Sequence, residues 1–281
     1  MTQAGDFLAG MARSSAARVA EARERTPMQQ LEARAAAMPP PPRLALDGRF
    51  DLIAELKLRS PAQGQLAGEA TDLAAQVSAY ARGGAALVSV LTEPERFDGS
   101  LDHLARASAV LAPLGVPVMR KDFLVDAYQL LEARVAGAAG VLLIVRMLDA
   151  DRLRELVAFA ETLGMFVLLE AFDAEDVVLA AELAARWRGP RDACLVGVNS
   201  RDLRTLAVVP ERLEALAATL PAAYPRVAES GLAGPDDAAR LARAGYTVAL
   251  VGTALMSVAD PAGLARAMID AGRTAASGRR T

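Results

Sequence analysis

The chain has 281 residues, of which 53% are hydrophobic and 4% aromatic, and its formal net charge is −3. This length suits either two average domains or one α/β barrel, and the apolar fraction is ample for a large core. The charged residues form neither a basic stripe nor an acidic tail, so the sequence has no surface typical of nucleic-acid or membrane binding.

The cysteine content and the start of the chain indicate a cellular compartment. Cys194 is the single cysteine, which excludes an internal disulfide and a cysteine-based metal cluster and fits the reducing cytoplasm. Residues 1–15 lack the basic start and apolar block of a secretory signal, and no apolar run is long enough to span a membrane. We therefore expect a cytoplasmic protein without a nucleic-acid or membrane partner, and the apolar neighbours of Cys194 predict a buried, unreactive thiol.

The first predicted element is a helix near the N-terminus. A mostly apolar stripe at helical spacing is formed by Leu8, Met11, Ser15 and Val19. Four prolines at 39–42 then force an extended, stiff connection. Periodicity alone leaves two interpretations open: a helix that closes one end of the following domain for stability, or a lid across a substrate.

From Phe50 onward, short runs rich in Val, Ile and Leu alternate with longer segments of helical periodicity, which is typical of βα units around a parallel sheet. Eight strands are predicted, at residues 50–57, 85–91, 117–121, 139–145, 166–170, 194–199, 224–229 and 247–252. A helix is predicted after each strand, at residues 71–82, 100–112, 126–136, 149–163, 173–187, 210–218, 234–244 and 260–273.

Eight successive units favour a closed (β/α)₈ barrel, the TIM barrel, over a doubly wound open sheet that shares the same rhythm. Neither a GxGxxG loop nor a GxxxxGK[ST] loop follows any predicted strand, which argues against a nucleotide-binding open sheet. We therefore predict an α/β fold in which residues 49–281 form a TIM barrel catalytic domain. Residues 1–48 form an N-terminal helical extension with a proline-rich connection.

Two charged residues stand at the end of the first predicted strand. Glu55 and Lys57 point to the same face because strand side chains alternate. Their neighbours Ala54, Leu56 and Leu58 point the other way, and the outer face of a parallel barrel packs on apolar helices. We therefore expect Glu55 and Lys57 in the barrel mouth. A purely structural ion pair between them is the alternative.

Polar side chains recur where later strands end. They are Lys121 after the third strand, Glu170 after the fifth, Asn199 and Arg201 after the sixth, and Glu229 and Ser230 after the seventh. In this fold the carboxyl ends of the strands form the face on which active sites are assembled. Ionised groups there are costly unless they are paired or used, so their convergence predicts acid and base chemistry by lysine and carboxylates.

Glycine follows each of the last two strands, in Ser230-Gly231 and in Gly252-Thr253. Backbone amides freed by glycine beside a helix N-terminus bind anions, and this fold commonly binds phosphate at these two loops. Glycine is also ordinary in turns. His103 lies in the predicted helix after the second strand, away from the carboxyl-end face, and is expected at the surface. The sequence has no metal-ligand spacing and no serine nucleophile elbow.

Several stretches, in order and over most of the chain, resemble indole-3-glycerol phosphate synthases. They are IAELKLRSP (53–61), VSVLTEPERFDGS (88–100), RKDFLVDAYQLLEARVAGAAGVLLIV (120–145), LGMFVLLEAFD (163–173), GVNSRDLRTL (197–206), AESGL (228–232) and LVGTALM (250–256). The stretch that begins with RKDF and the NSRDL segment are the most specific. The glycine motifs alone would also suit other phosphate-binding barrels.

The resemblance implies a carbon–carbon lyase of tryptophan biosynthesis that needs no cofactor. Its partner is a phosphorylated small molecule, 1-(2-carboxyphenylamino)-1-deoxyribulose 5-phosphate. This substrate loses carbon dioxide and water as the indole ring closes, which gives indole-3-glycerol phosphate. We expect the protein to be a monomer or a weak oligomer.

The resemblance also implies catalytic roles. Lys121 resembles the family's general acid, which protonates the ketone as the aromatic carbon attacks it, and Lys57 resembles the lysine that engages the substrate carboxylate and is a second candidate acid. Glu170 resembles the carboxylate that transfers a proton during dehydration. Glu55 resembles one that positions the lysines or stabilises developing positive charge. Further matches to catalytic positions are Asn199, Glu229 and Ser230.

Substrate-binding positions follow from the same resemblance. The matches to the phosphate site are Ser60, Gly231, Gly252 and Thr253. Phe123 and Leu203 match apolar positions near the aromatic ring, and Arg201 supports the site. In this family the N-terminal extension carries a helix over the site, which favours the lid interpretation.

Some positions depart from the family pattern. Leu58 stands where arginine is common, Ala62 and Ala228 where serine is common, and Gln63 where lysine is frequent. Because Ala62 lacks a hydroxyl, a weaker phosphate affinity is expected, and a paralogue that serves another indole pathway is an alternative. A second alternative is a different phosphate-binding barrel enzyme such as phosphoribosylanthranilate isomerase, against which the lysine pair and the long extension count. A third is a non-catalytic paralogue, against which the intact acid and base positions count.

Overall fold

The strands of the chain pair in sequence order until the sheet closes on itself. In the computed structural model, eight parallel strands form a barrel in which each pairs with the next along the chain and the last pairs with the first. The structure describes residues 3–60, 64–66, 72–202 and 205–278. The predicted TIM barrel is confirmed.

The barrel strands overlap the eight predicted ranges, with differences of one or two residues at the ends. They are β1 (Asp51–Leu56), β2 (Leu87–Leu91), β3 (Val118–Lys121), β4 (Gly140–Ile144), β5 (Phe166–Ala171), β6 (Cys194–Asn199), β7 (Arg226–Glu229) and β8 (Val248–Val251). A short antiparallel hairpin, Arg59–Ser60 with Gly64–Gln65, follows β1 and lies outside the predicted strands.

Helices precede the barrel and follow each of its strands. They are α1 (Gln3–Arg25), α2 (Met28–Ala37), α3 (Leu73–Arg82), α4 (Pro94–Phe97), α5 (Leu101–Leu111), α6 (Ala127–Val135), α7 (Ala150–Thr162), α8 (Ala174–Ala185), α9 (Glu211–Ala217), α10 (Pro235–Ala244), α11 (Thr253–Met256) and α12 (Pro261–Ser277). Single 3₁₀ turns occur at Ala112–Leu114, Val145–Met147 and Arg191–Ala193. The helices α2, α4 and α11 lie outside the predicted helices.

Short polar side chains fix the starts of many barrel helices. Each accepts hydrogen bonds from backbone N–H groups in the first helical turn, which have no partner within the helix. These caps are Asp72, Ser100, Asp126, Asp149, Asp173 and Asp260. One such cap stabilises a helix by about 1 kcal/mol.

The alternation of side chains along each strand divides the core into two layers. On β1, Leu52 and Leu56 pack outward in the layer between strands and helices, whereas Ile53 packs inward in the barrel interior with residues such as Leu142. Glu55 shares the inward face of Ile53 and lines the barrel mouth, as its neighbours predicted.

The helix α1 makes two kinds of contact. Near its start, Leu8 and Met11 pack with the apolar residues of the barrel interior. Further along the extension, Val19 and Leu31 pack against Tyr128 on α6, at the outer wall of the barrel. The extension therefore both covers the barrel and is anchored to its side, so the contacts of both sequence-based interpretations are present.

The proline-rich connection returns the chain to the start of β1. The Arg134 guanidinium donates hydrogen bonds to the backbone carbonyls of Met38 and Pro39. The backbone N–H of Asp47 donates to the Asp51 carboxylate at 2.7 Å. These contacts fix both ends of the connection against the barrel.

Two smaller expectations also have structural counterparts. Cys194 is buried, as predicted, and burial raises the pKa of its thiol to about 12. His103 lies on α5, away from the carboxyl-end face, and is partly exposed; burial lowers the pKa of its imidazole. Among the described helices, none is long and apolar enough to cross a membrane.

Candidate active site

A cleft that encloses about 1040 Å³, part of it continuous with solvent, occupies the carboxyl-end mouth of the barrel. Most predicted site residues line it: Glu55, Lys57, Lys121, Phe123, Glu170, Asn199, Arg201, Glu229, Ser230, Gly231, Gly252 and Thr253. Leu203 lies outside the described residues, as do Ala62 and Gln63, and the side chain of Ser60 lies outside the described part of the chain. The cleft therefore brings together residues from both the acid–base prediction and the phosphate prediction.

Glu55 and Lys57 form an ion pair that faces the cleft, with 2.9 Å between Lys57 Nζ and Glu55 Oε1. Burial opposes ionisation of Glu55, but the positive charges of Lys57 and Lys121 outweigh it and hold the pKa of this carboxyl below its ordinary value. Gly252 makes room for the pair, because a Cβ there would lie 2.4 Å from Glu55 Oε1. The floor of the cleft thus carries a fixed anion.

Lys121, at the end of β3, lies between two carboxylates. Its Nζ is 3.4 Å from Glu170 Oε1 and 3.7 Å from Glu229 Oε2. Burial disfavours the charged amine, but the negative charges of Glu170, Glu229 and Glu55 outweigh it and raise the pKa of Lys121 above its ordinary value. Lys121 is therefore an ammonium at neutral pH, with a proton to donate.

Asn199 fixes the Glu170 carboxylate in place. Its Nδ2 donates to Glu170 Oε1 at 2.5 Å, and its Oδ1 accepts from the backbone N–H of Arg201 at 2.8 Å. The Arg201 guanidinium in turn donates to the carbonyl of Leu206 at 2.6 Å. The end of β6 and the loop after it are thereby joined to the carboxylate on β5.

Glu229 is the least solvated carboxyl of the cleft, at 1% exposure. Burial raises its pKa well above the ordinary value, and the negative charge of Glu170 raises it further. As an anion, neither of its oxygens has a hydrogen-bond donor among the described residues, whereas the protonated form has Glu170 as an acceptor. Glu229 therefore stays protonated to a higher pH than an exposed glutamate, and once ionised it is one of the negative neighbours of Lys121.

Aromatic residues are concentrated at the cleft. The chain has seven phenylalanines, and four of them line this one site: Phe7, Phe97, Phe123 and Phe172. Ring centroids of Phe7 and Phe123 lie 6.0 Å apart in an edge-to-face arrangement, and those of Phe97 and Phe123 lie 6.3 Å apart. Sequence reasoning found only Phe123. The scarcity of aromatic residues, together with the position of Phe172 directly after β5, was the available signal for the others.

A charged network that the sequence analysis missed is centred on Asp122, which lines the cleft. The buried Asp122 carboxylate accepts hydrogen bonds from Arg18 at 2.8 Å, Arg120 at 3.1 Å and the Thr92 hydroxyl at 2.7 Å. Arg18 also contacts Glu93, with 3.3 Å between the charged atoms. Because Asp122 follows Lys121 directly, this network ties α1 to the strand that carries the candidate acid.

Replacement of Asp122 by Asn should lower the free energy of unfolding at neutral pH by about 2–4 kcal/mol, because it removes the buried carboxylate that Arg18 and Arg120 share and leaves each guanidinium with one acidic partner, Glu93 or Glu132. Burial opposes ionisation of Asp122, but Arg120 and Arg18 outweigh it and hold its pKa below the ordinary value. A depressed pKa gives stability that is present above the unfolded pKa, about 3.9, and is lost as pH falls through the folded pKa.

Urea unfolding of the parent and the Asp122→Asn variant over a pH series checks this expectation. The difference between them should be largest near neutral pH and should narrow in acid, below about pH 4. Asp151→Asn is a matched control, because Asp151 pairs with Arg154 but is 89% exposed, and it should change stability by less than about 1 kcal/mol. A difference for Asp122→Asn that is independent of pH contradicts the assignment.

The two glycine loops approach the cleft with different backbone geometry. Ser230 and Gly231 both have positive φ, 69° and 77°, and a Cβ at Gly231 would lie 2.6 Å from Val208. Gly252 precedes α11, which begins at Thr253. The first N–H groups of a helix have no intrahelical partner, so the start of α11 is a place where backbone donors can meet an anion.

Comparisons with known proteins agree with this geometry. A family model described as indole-3-glycerol phosphate synthase matches residues 8–268. A protein of that name from a Nocardioides species is 44% identical over 254 residues, which cover 89% of this chain and 93% of the relative. Another, from Kineococcus radiotolerans, is 43% identical over 266 residues, which cover 93% of this chain and 92% of the relative.

Solved structures show the same fold at much lower identity. The 3-hexulose-6-phosphate synthase from Salmonella typhimurium is 16% identical, with a TM-score of 0.60 over 80% of this chain and 100% of that one. A match at this identity concerns the barrel alone. The family match over nearly the whole sequence is more specific and confirms the resemblance of the motifs, so the chain belongs to the indole-3-glycerol phosphate synthase family.

Proposed function

We propose that the chain converts 1-(2-carboxyphenylamino)-1-deoxyribulose 5-phosphate to indole-3-glycerol phosphate, with loss of carbon dioxide and water, as a carboxy-lyase of tryptophan biosynthesis. The observation that carries this proposal is the Lys121 ammonium, held 3.4 Å from Glu170 and 3.7 Å from Glu229 in a cleft with aromatic walls. Ring closure needs a proton donor at the ketone and an apolar wall for the aromatic ring, and the cleft combines the two.

Lys121 acts as the general acid in this proposal. As the aromatic carbon attacks the ketone carbon, the ketone oxygen gains negative charge and becomes a stronger base than an amine, so proton transfer from the ammonium becomes favourable at that moment. The raised pKa of Lys121 keeps the ammonium protonated until then. Release of carbon dioxide then returns its bonding electron pair to the ring system.

The remaining polar residues act before and after this step. Lys57 faces the cleft beside Glu55, and its ammonium is placed to engage the substrate carboxylate and to act as a second acid. Glu170, oriented by Asn199, transfers the proton as water is lost. Glu55, Glu229 and Ser230 complete the polar lining, and Glu55 holds the two lysines by charge.

The phosphate lies on the opposite rim in this proposal. Gly231 and the amides at Gly252 and Thr253 bind it, with Arg201 in support. Ser60 is a further phosphate position that the resemblance implies. The aromatic ring lies against the phenylalanines, with Phe123 in contact. Leu203, which is outside the described residues, is the second apolar position that the resemblance implies. The position of Gly252 and Thr253 at the start of α11, where both line the cleft, supports this placement.

Thr253→Val tests the phosphate grip, because it removes a hydroxyl and keeps the side-chain shape. Loss of one hydrogen bond to a charged group is worth about 1.5–3 kcal/mol, so KM should rise roughly 10- to 100-fold with little change in kcat. Ser257→Ala, directly after the same short helix, is the control, since its hydroxyl donates to the Thr253 carbonyl at 2.8 Å and is exposed. An equal rise in KM for both variants, or for a substrate without phosphate, would place the grip elsewhere.

We also propose a division of labour along the chain. Residues 49–281 carry the catalytic groups, and residues 1–48 form a covering segment whose helix α1 excludes water from the bound substrate. Phe7 supports this assignment, because it lies on α1 and lines the cleft. The barrel contributes acids and bases, while the extension contributes apolar cover.

Steady-state turnover of the anthranilate-derived substrate tests the proposed function. Formation of the indole ring is followed by fluorescence, and the parent chain should give a saturable rate. Phosphoribosylanthranilate as substrate tests the isomerase alternative. An isomerase would convert this compound without decarboxylation. A non-catalytic paralogue would bind the substrate without turnover, and that result would refute the proposal.

A further inference from the structure

Gly197, in the interior of β6, leaves a space that another residue fills. A Cβ built on Gly197 would lie 2.4 Å from Glu229 Oε1 and 3.1 Å from Leu168 Cδ1, and real Cβ atoms essentially never show the first of these distances. Gly197 is not among the glycines with positive φ, so conformational freedom does not explain the glycine. The Glu229 carboxylate occupies the volume that a side chain at 197 would need.

The register of the strands places this space beside the catalytic groups. Gly197 pairs with Glu170 on β5, whereas Glu229 on β7 pairs with Asn199, two residues further along β6. The Glu229 side chain therefore reaches back along β6 and enters the gap next to Glu170. The charged groups that act on Glu229 there are Glu170 from β5, Lys121 from β3 and Glu55 from β1.

We propose that Gly197 is a positioning residue, whose missing side chain seats the Glu229 carboxyl group beside Glu170 and within 3.7 Å of the Lys121 ammonium. The inference rests on the proposed function, in which Lys121 is the acid. With Glu170 on one side and Glu229 on the other, the ammonium is held at a defined point of the cleft. A methyl group at 197 would push the Glu229 carboxyl out of the gap and toward the solvent-filled cleft.

This displacement has a predictable effect on protonation. Burial and then the charge of Glu170 raise the pKa of Glu229, so movement toward solvent lowers it. Burial disfavours the Lys121 ammonium, and Glu229 is one of the negative groups that outweigh it, so loss of this neighbour lowers the pKa of Lys121 as well. Both groups then lose their protons at lower pH, and the alkaline limb of kcat moves to lower pH.

Close packing between strands is the alternative reason for a glycine at position 197. A second strand glycine provides a control for this effect. A Cβ at Gly140 on β4 would lie 2.3 Å from the Phe166 ring, so this buried strand glycine is equally crowded, but the atoms nearest to it belong to an aromatic ring and not to an ionisable group. Gly140→Ala is therefore the matched control for Gly197→Ala. It should lower stability without a shift of the kcat–pH profile.

A double-mutant cycle of Gly197→Ala with Glu229→Ala tests the proposal on the full chain. Gly197→Ala alone should lower the melting temperature, reduce kcat roughly 10- to 100-fold with KM within about twofold, and move the alkaline limb to lower pH. In the Glu229→Ala background the same methyl enters an emptied space, so it should cost little further stability and little further kcat.

The outcomes distinguish a positioning role of Gly197 from close strand packing. Equal losses from Gly197→Ala in both backgrounds, or no loss in either, would overturn the proposal, as would a pH profile that Gly140→Ala moves by the same amount. If Gly197→Ala does not fold, the proposal requires that the double variant folds. A double variant that also fails to fold would overturn the proposal that the space at Gly197 accommodates Glu229. Absence of turnover in the parent refutes the proposed function instead, and the stability half of the cycle still decides whether Gly197 seats Glu229.

Discussion

Replacement of Lys121 by Met should reduce kcat by a factor on the order of 10² or more, because the cleft loses the ammonium that protonates the ketone. The methionine keeps the length and the apolar stem of the side chain, so the barrel should stay folded. It should also be less stable by about 3–5 kcal/mol at neutral pH, because Glu170 and Glu229 lose their buried cation. Circular dichroism and steady-state kinetics on one preparation measure both effects.

Lys121→Arg separates proton transfer from charge. Its guanidinium restores a positive partner for the two carboxylates, so stability should recover, but a group that stays charged in proteins is a poor proton donor and kcat should stay low. Near-parental turnover in the Arg variant would mean that charge alone is needed at this position. Near-parental turnover in a folded Met variant would remove Lys121 from the chemistry altogether.

Deletion of residues 1–12 should lower kcat/KM roughly 10- to 100-fold and leave a cooperative thermal transition. The deletion removes Phe7, which lines the cleft, together with Leu8 and Met11, which pack at the barrel interior. One buried aromatic or aliphatic side chain is worth about 1.5–3 kcal/mol, which corresponds to the expected loss of binding. Stability should fall only in part, because Arg18, Val19 and α2 remain attached to the barrel wall.

Leu31→Ala is the complementary change. It weakens the attachment of the N-terminal extension to α6 and leaves the residues that cover the cleft in place. Leu31 is 3% exposed and packs against Tyr128 and Leu131, so its truncation should cost about 2–4 kcal/mol of stability. Its kcat/KM at a temperature well below the transition should stay close to that of the parent. Unchanged kinetics in the well-folded truncation, or a catalytic loss in Leu31→Ala as large as in the truncation, would contradict the covering role.

The barrel was predictable because its signals are local and repeated. Each strand is a short apolar run, each following helix has its own periodicity, and eight copies leave few arrangements open. The direction of Glu55 was predictable for the same reason, because its alternation with the apolar neighbours Ala54 and Leu56 indicates that it faces inward. The short elements were not predicted. The helix α4 has one turn and the hairpin at Arg59–Ser60 has two residues per strand, which are too few for a periodic pattern to appear.

The candidate site was predictable where chemistry stands at a strand end and not where it depends on distant contacts. Lys121 and Glu170 were found by position and motif, and the structure places them 3.4 Å apart. Phe7 was missed because only the docking of α1 brings it to the cleft, across more than a hundred residues of chain from Phe123. Gly197 was missed for a related reason: what matters is the space it leaves, which belongs to another strand.

Some expectations depend on properties outside a single folded chain. The cytoplasmic location, the absence of a nucleic-acid partner and the monomeric or weakly oligomeric state stay predictions from charge and composition. The role of each site residue also stays a proposal, which the variants above address one at a time. The weaker phosphate affinity expected from Ala62 belongs with them, since this residue lies outside the described part of the chain.

The stoichiometry of product and carbon dioxide tests the central claim most directly. The purified full chain is given 1-(2-carboxyphenylamino)-1-deoxyribulose 5-phosphate labelled with carbon-13 in its carboxyl group, and the released gas and the indole product are both quantified by mass spectrometry. We predict equal amounts of labelled carbon dioxide and unlabelled indole-3-glycerol phosphate, at a rate that Lys121→Met lowers by a factor on the order of 10² or more. Substrate that stays intact, or is rearranged with the label retained, would contradict the proposed function.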